Sequence, residues 1–347
     1  MNANFKPRLI VISLYWCFFT VHVTMLALKS EIERNVIAHV AEDDEVLLPQ
    51  TVSQLSCSYK SGYGEFKGEI YIVGTGHFSK SSRCDVQEVI RKVKPRAIVV
   101  ELCERRDFLL HYDEDVLMRE LQTSDTFKNI RQFFKENGIV FTLVMLLFKA
   151  ISGSMSRQLG TFPGTEFRVA FQEALKLDAC SFYLGDRDIS ITFHRALAML
   201  NIFQKLKLLI CMVRSMNAEI KTEMMETFKD RDVLDEVILG ITECFPLLAE
   251  VLIKERDQYL AHKLRCAFAD CCLMQKEQER YEPIKIVCVV GIAHVKGIIA
   301  NFNNIINISE LERIPKPKRD WLKTVLKFLF YSLVSYGTYR FTKRYFW

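Results

Sequence analysis

The stretch EIYIVGTGHFSKSSRCDVQEVI, residues 69–90, decides the fold. Its β-branched half, Ile70 to Gly74, reads as a strand; it breaks at Gly-Thr-Gly-His and restarts with helical spacing from Asp85 to Val93. Three further runs share its near-continuous apolar character: AIVVEL (97–102), SFYLGD (181–186) and IKIVCVVG (284–291). Strands covered on both faces look like this, whereas a strand with one wet face alternates. Helical patterns fill the intervals, from Asp115 to Leu177 and from Ile191 to Gln275. The expectation is an α/β fold, a small mixed, mostly parallel sheet flanked by many helices. Within the first interval, Asn137 to Ile151 is apolar nearly all round, and it reads as a buried core helix because Lys149 and its length fall short of a membrane span.

In such sheets ligands bind where the carboxyl ends of strands open into a crevice. The four strand ends carry Gly74-Thr-Gly-His77, Glu101-Leu-Cys-Glu-Arg105, Gly185-Asp186-Arg187 and Gly291-Ile-Ala-His294. Gly-x-x-His thus occurs twice, at opposite ends of the body; a single copy more often marks an ordinary hydrogen-bonding histidine after a turn. With Glu101, the pair makes two imidazoles and a carboxylate, a donor set that suits zinc, manganese, iron or cobalt with positions left open for water. A divalent metal there lowers the pKa of water and polarises a carbonyl, as hydrolysis near neutral pH requires. Arg105 and Arg187 offer forked donors for a carboxylate or oxyanion, or else pair structurally with Glu101, Glu104 or Asp186. Glu166 falls in the first turn of a helix opened by Pro163-Gly164, where the helix dipole alone favours a carboxylate. Arg256 shares a helical row with Ala249, Ile253, Leu260 and Leu264, so it must snorkel, pair or face a site.

A nucleotide is not expected. GTGHFS has Ser79 where the third glycine of a dinucleotide fingerprint stands, and that fold gives no reason for the second Gly-x-x-His, although Glu101 lies near the distance of a ribose-binding acid. The net charge of +5 over 347 residues, without a basic stripe or a recognisable module, excludes a nucleic-acid binder. Eleven cysteines in no Cys-x-x-Cys pair indicate neither a disulfide framework nor a zinc ribbon; they read as free thiols of a cytosol-facing protein.

Both ends point to a membrane. Leu9 to Leu28 is uncharged apart from His22 and, at about 20 residues, long enough to span a bilayer. The tail 321–347 has an uncharged centre, Phe328 to Tyr339, flanked by lysines and arginines, which suits a tail anchor or an interfacial helix. The chain therefore divides into residues 1–65, an apolar segment and irregular linker; 66–311, the folded body; and 312–347, a Pro- and Lys-rich hinge with a membrane-associated tail.

The ordered motifs VGTGHFSKSS, VVELCERR, GTEFRVAFQEA, LGDRDISITFHRA, ERDQYLAHKL and VVGIAHVKGI, spread from Glu69 to Ile299, resemble those of the TraB/PrgY family, and of its eukaryotic branch in particular. The hallmark positions of that family fall on Gly74, His77, Glu101, Arg105, Glu166, Arg187, Arg256, Gly291 and His294. The resemblance implies an EreA/ChaN-like fold with its site at one edge of the sheet. It also implies kinship with the metal-dependent Tiki proteases, for which cobalt or manganese supports activity. Cytosol-facing members of the eukaryotic branch are associated with the mitochondrial outer membrane. The expectation is a membrane-anchored, peptidase-like hydrolase acting on a peptide or protein, with His77, Glu101 and His294 holding a divalent metal (Mn, Co or Zn). Glu101, Arg105, Glu166, Arg187 and Arg256 are its catalytic and supporting residues. The alternative is a non-catalytic adaptor or tether that keeps the pocket as a ligand or metal sensor. The expected location is the mitochondrial outer membrane, or an endoplasmic reticulum membrane reached through residues 9–28.

Overall fold

The computed structural model describes residues 29–31, 33–40, 48–61, 64–77, 79–122, 130–216, 242–278, 282–315, 331–332 and 335–336. The apolar segment 9–28 and nearly all of the tail 321–347, both expected to associate with a membrane, lie outside these residues. Six strands form one sheet: β1 (Ile37–Val40), β2 (Val52–Ser61), β3 (Gly64–Thr75), β4 (Ala97–Val100), β5 (Ser181–Leu184) and β6 (Ile284–Gly291), in the order β1-β2-β3-β6-β4-β5. All four runs read as strands are strands, and they run parallel to one another. β1 and β2 add an antiparallel meander at the β3 side.

That meander lies in the stretch read from its sequence as an irregular linker. Leu55, Cys57 and Tyr59 of β2 face the core while Ser56 and Lys60 are exposed, the alternation of a half-covered strand. Serines and a lysine on the wet face dilute the apolar signal, which is why the strand does not stand out as the fully covered ones do.

The eight principal helices are α1 (Lys80–Val93), α2 (Glu114–Gln122), α3 (Ile139–Leu159), α4 (Thr165–Ala174), α5 (Ile189–Met199), α6 (Ile202–Ser215), α7 (Glu255–Gln278) and α8 (Ile292–Asn301). Successive strand residues point to opposite faces, and here each face has its own helical layer. Ile70 and Ile72 of β3 and Ile286, Cys288 and Val290 of β6 pack with Leu260, Leu264 and Phe268 of α7 and Val295 and Ile298 of α8. Tyr71, Val73, Val287 and Val289 pack the other way, against Val86, Val89 and Ile90 of α1 and Phe167 and Ala170 of α4. The continuous apolar runs follow from this double cover. The opening stretch restarts as a helix because Ser79 caps α1, its side chain accepting the backbone N–H of Ser82 at 3.2 Å.

A third cluster, with Phe141 and Val144 of α3 and Ala196, Leu197, Leu200, Leu248 and Val251, forms the core of the helical insertion. α3 is not the buried core helix its composition suggests. It buries Phe141, Thr142, Val144, Gly153, Ser156 and Leu159, but Ile139, Leu143 and Phe148 on its other side are 57%, 42% and 43% exposed. At 21 residues it is, among the described residues, the one helix long and apolar enough to cross a membrane by length and composition. One side serves the insertion core and the other remains apolar in solvent.

Candidate functional site

The register of the parallel strands brings their carboxyl ends to one edge. Thr75 pairs with Gly291 across β3 and β6, and Val289 pairs with Val100 across β6 and β4. His77, Glu101 and the start of α8 therefore emerge side by side. Thr75 Oγ1 donates to the Val290 carbonyl at 3.1 Å and the Gly76 N–H to Ser82 Oγ at 3.0 Å, which fixes the turn leading to His77.

Each imidazole is gripped from behind by a carboxylate. His77 Nδ1 lies 2.7 Å from Glu166 Oε1, and His294 Nδ1 lies 2.6 Å from Asp257 Oδ1. Glu166 reaches His77 because Gly164, at φ 88°, turns the chain into α4 and its N–H donates to the His77 carbonyl at 3.4 Å. The Nε2 atoms face Glu101, whose Oε1 lies 4.0 Å from His77 and 3.4 Å from His294. Two donors on one metal with bonds of about 2.1 Å stand up to about 4.2 Å apart, so each histidine is individually within ligation range of Glu101. As a set the three are not drawn within 4.8 Å of one another.

Arg256 accounts for part of that spacing. Its guanidinium donates to Glu101 Oε1, to Asp186 Oδ1 at 3.0 Å and to Asp186 Oδ2 at 2.8 Å, and its Nη1 stands 3.1 Å from His294 Nε2. Glu101 Oε2 accepts the Gly291 N–H at 2.7 Å. Burial opposes ionisation of Glu101, but His294 and Arg256 outweigh it and hold the carboxyl well below its usual range. Burial likewise opposes a charge on His294, yet Glu101, together with Asp257, lifts it to about 9. For His77 burial works the same way, and Glu166 raises it.

The glycines of the two motifs act by close approach. A Cβ on Gly291 would sit 2.9 Å from His77 Nε2 and 3.2 Å from Glu101 Oε2, and one on Gly74 would press on Ile292 and Val295 at 3.1 Å. Neither takes a positive φ; the tight turn expected of them is not what they supply.

Of the residues expected at the site, the structure gathers His77, Glu101, Glu166, Arg256 and His294. It does not bring Arg105 or Arg187 there. Arg105 is 67% exposed and pairs with Asp188 at 2.7 Å on the outside, because the 3-10 turn Glu104–Arg106 rotates it away and presents Arg106 instead, whose Nη2 holds Asp186 at 2.8 Å. Arg187 is fully buried behind the site. It donates to Glu255 at 2.7 Å, to Thr192 at 3.1 Å and to the carbonyls of Leu311 and Val251 at 2.8 and 3.2 Å, a structural role with Glu255 as its ion-pair partner rather than the expected Glu101, Glu104 or Asp186. The reading missed Asp257, Asp186 and Arg106 as working groups. Asp257 was detectable: it adjoins Arg256, and GIAHVKG spaces Gly291, His294 and Gly297 so that α8 presents no side chain where Asp257 passes.

Beside His77 and Glu101 opens a cleft of about 550 Å³ with largely apolar walls, among them Leu109, Phe148, Met155, Phe162 and Phe167, and with Arg106 and Lys149 on its lining. Pockets of about 300–1,000 Å³ with apolar walls and a few polar groups suit small organic groups and side chains.

Comparison with known proteins places these features in a lineage. The model of the TraB/PrgY/gumN family matches residues 64–303. A TraB domain-containing protein of Homo sapiens is 36% identical over 304 residues, covering 86% of this chain and 78% of its own length. That of Bos taurus is 36% identical over 299 residues, covering 84% and 76%. An uncharacterised protein of the archaeon Methanocaldococcus jannaschii is 26% identical over 283 residues, covering 78% and 64%.

Proposed function

Since the chain belongs to the TraB/PrgY/gumN family, we propose that its strand-end site is that of a metal-dependent, peptidase-like hydrolase acting on peptides with bulky apolar side chains. The observation that carries this reading is the pair of imidazoles, each held at Nδ1 by a carboxylate at 2.7 and 2.6 Å with Nε2 turned toward a shared glutamate. That carboxylate–imidazole arrangement fixes the tautomer and ring orientation of metal-ligating histidines. His77, His294 and Glu101 would hold manganese, cobalt or zinc, and the metal when bound supplies Lewis acidity for peptide hydrolysis. Glu166 and Asp257 keep the Nδ1 protons and aim the rings. Arg256, with Arg106, neutralises Asp186 and keeps Glu101 ionised. The cleft walls of α3 and α4 take the apolar side chain and exclude water from it.

A second reading is a non-catalytic adaptor or tether that keeps the pocket as a sensor. It is favoured by Arg256, which already supplies a cation to Glu101 and stands against His294 Nε2. In either case the protein is assigned to a membrane, the mitochondrial outer membrane with the body facing the cytosol. The ten described cysteines, all free, support a reducing side. An endoplasmic reticulum anchor through residues 9–28 is the competing location.

Full-length protein in detergent, loaded in turn with manganese, cobalt and zinc, tests the site. The expected result is metal retention that His77→Ala and His294→Ala reduce, with cleavage of peptides rich in Phe and Leu. Metal retained without cleavage of any peptide would favour the sensor, and metal content unaffected by both substitutions would remove the site. A tagged chain lacking residues 321–347 is expected to lose the mitochondrial marker.

A further inference from the structure

A second cluster of donor atoms lies on α7, further along the helix than Arg256 and Asp257. His262 and Cys266 are four residues apart on α7, so both side chains leave the same face one turn apart. Glu33, from the helical residues 33–35 that precede β1, comes down onto that face. One donor atom of each residue lies within 4.8 Å of the other two, and all three side chains are half-buried. Cys266 Sγ and His262 Nε2 are 3.3 Å apart. With bonds of about 2.3 Å to sulfur and 2.05 Å to nitrogen, tetrahedral zinc sets the two atoms about 3.6 Å apart. That pair therefore needs an adjustment of a few tenths of an ångström.

The position of Glu33 is tied to the fold. Val36 is buried in the core beside α7, and Ala38 exchanges two hydrogen bonds with the Asn303 side chain, at 2.8 and 2.9 Å. Three cations stand near the cluster, each with a partner of its own: Lys29 pairs with Asp270 at 2.6 Å, Arg265 donates to the carbonyls of Phe302 and Asn304 at 3.2 and 2.6 Å, and Lys263 lies over the Tyr259 ring at 5.6 Å.

We infer that Glu33, His262 and Cys266 form a binding site for a divalent transition metal of the zinc class, distinct from the strand-end site, which staples the incoming chain to α7. A thiolate, an imidazole and a carboxylate on one ion select zinc or cobalt over magnesium, calcium or manganese, which prefer all-oxygen shells. Three protein donors leave a fourth position for water. Binding forms a metal–sulfur bond and releases the thiol proton of Cys266 to solvent.

Cobalt(II) titrated into chelator-stripped full-length protein is the test, because a thiolate ligand gives a near-ultraviolet charge-transfer band that imidazoles and carboxylates do not. The expected result is a band saturating within two equivalents, since the strand-end site also takes cobalt, displaced by zinc, abolished in Cys266→Ser and weakened at least tenfold in affinity in Glu33→Gln. It should persist in His77→Ala and His294→Ala, so this site and the strand-end site stand or fall separately. Circular dichroism of Cys266→Ser, a near-isosteric change, verifies the fold. Absence of the band in wild type, or its survival undiminished in Cys266→Ser, overturns the assignment.

Discussion

Gly297→Ala isolates the contact that orients His294. A Cβ on Gly297 would lie 1.9 Å from Asp257 Oδ2 and 2.3 Å from its carboxyl carbon. Reaching ordinary contact at 3.4 Å means the carboxylate must retreat by ~1.5 Å, which takes Oδ1 out of hydrogen-bond range of His294 Nδ1, now 2.6 Å away. Three effects compete. Overpacking costs about 1–3 kcal/mol, losing a hydrogen bond to a charged group costs about 1.5–3 kcal/mol, and replacing a helical glycine by alanine returns about 1 kcal/mol. The net expectation is a destabilisation of about 1.5–5 kcal/mol. Urea unfolding of Gly297→Ala, Asp257→Ala and the double variant closes a cycle. Once Asp257 is truncated the added methyl has room, so the double variant should cost at least ~1 kcal/mol less than the sum of the singles. Additive effects, or a Gly297→Ala protein more stable than wild type, would show that this glycine does not gate the carboxylate.

Arg187→Met should destabilise by about 3 kcal/mol in the same unfolding assay, since it orphans two carbonyls and removes one of the two arginines on Glu255, while leaving metal content at the strand-end site unchanged. Arg105→Ala should shift stability by no more than about 0.5 kcal/mol because its ion pair is exposed, whereas Arg106→Ala, which strips a partner from buried Asp186, should cost about 1–3 kcal/mol. Glu173 of α4 carries a pH signature. Arg91, together with Lys176 and Gln87, overrides burial and holds its carboxyl at about 2. A depressed folded pKa stabilises above the unfolded value of about 4.3, and that contribution fades as pH falls toward about 2. Arg91 and Lys176 are themselves largely exposed, so the stability gap between wild type and Glu173→Gln should be only about 1–2 kcal/mol at pH 6 and should close between pH 4 and 2. A gap independent of pH would contradict the ion-pair origin.

The legible parts of this chain are those where one physical demand dominates. Double-sided burial keeps these strands nearly free of charge, Lys285 near the start of β6 apart, so the parallel core is plain in IYIVG, AIVV and IKIVCVVG. Chemistry at strand ends follows from parallel topology, which made His77, Glu101 and His294 visible together. Where two demands mix, the pattern fades. β2 alternates core residues with serines and reads as linker. α3 divides its apolar surface between the insertion core, the cleft and solvent, so composition could not say which side was buried. Arg105 and Arg106 are adjacent, and only the pitch of a single 3-10 turn decides which of them meets Asp186. Glu166 and Asp257 were within reach of the sequence as residues, but their pairing with His77 and His294 joins positions 89 and 37 residues apart, which no local window reveals.

The strand order has a consequence for how the protein is made. β6 begins at Ile284, late in the chain, yet it lies between β3 and β4 at the middle of the sheet and touches both. Until it leaves the ribosome, β3 and β4 each present a bare inner edge, and nothing in the sheet joins the His77 half to the Glu101 half. The last strand thus acts as a keystone: its docking closes the core, covers two aggregation-prone edges and carries His294 into place in the same step. The residues that complete the sheet are thus followed directly by the one that completes the cluster of His77, Glu101 and His294.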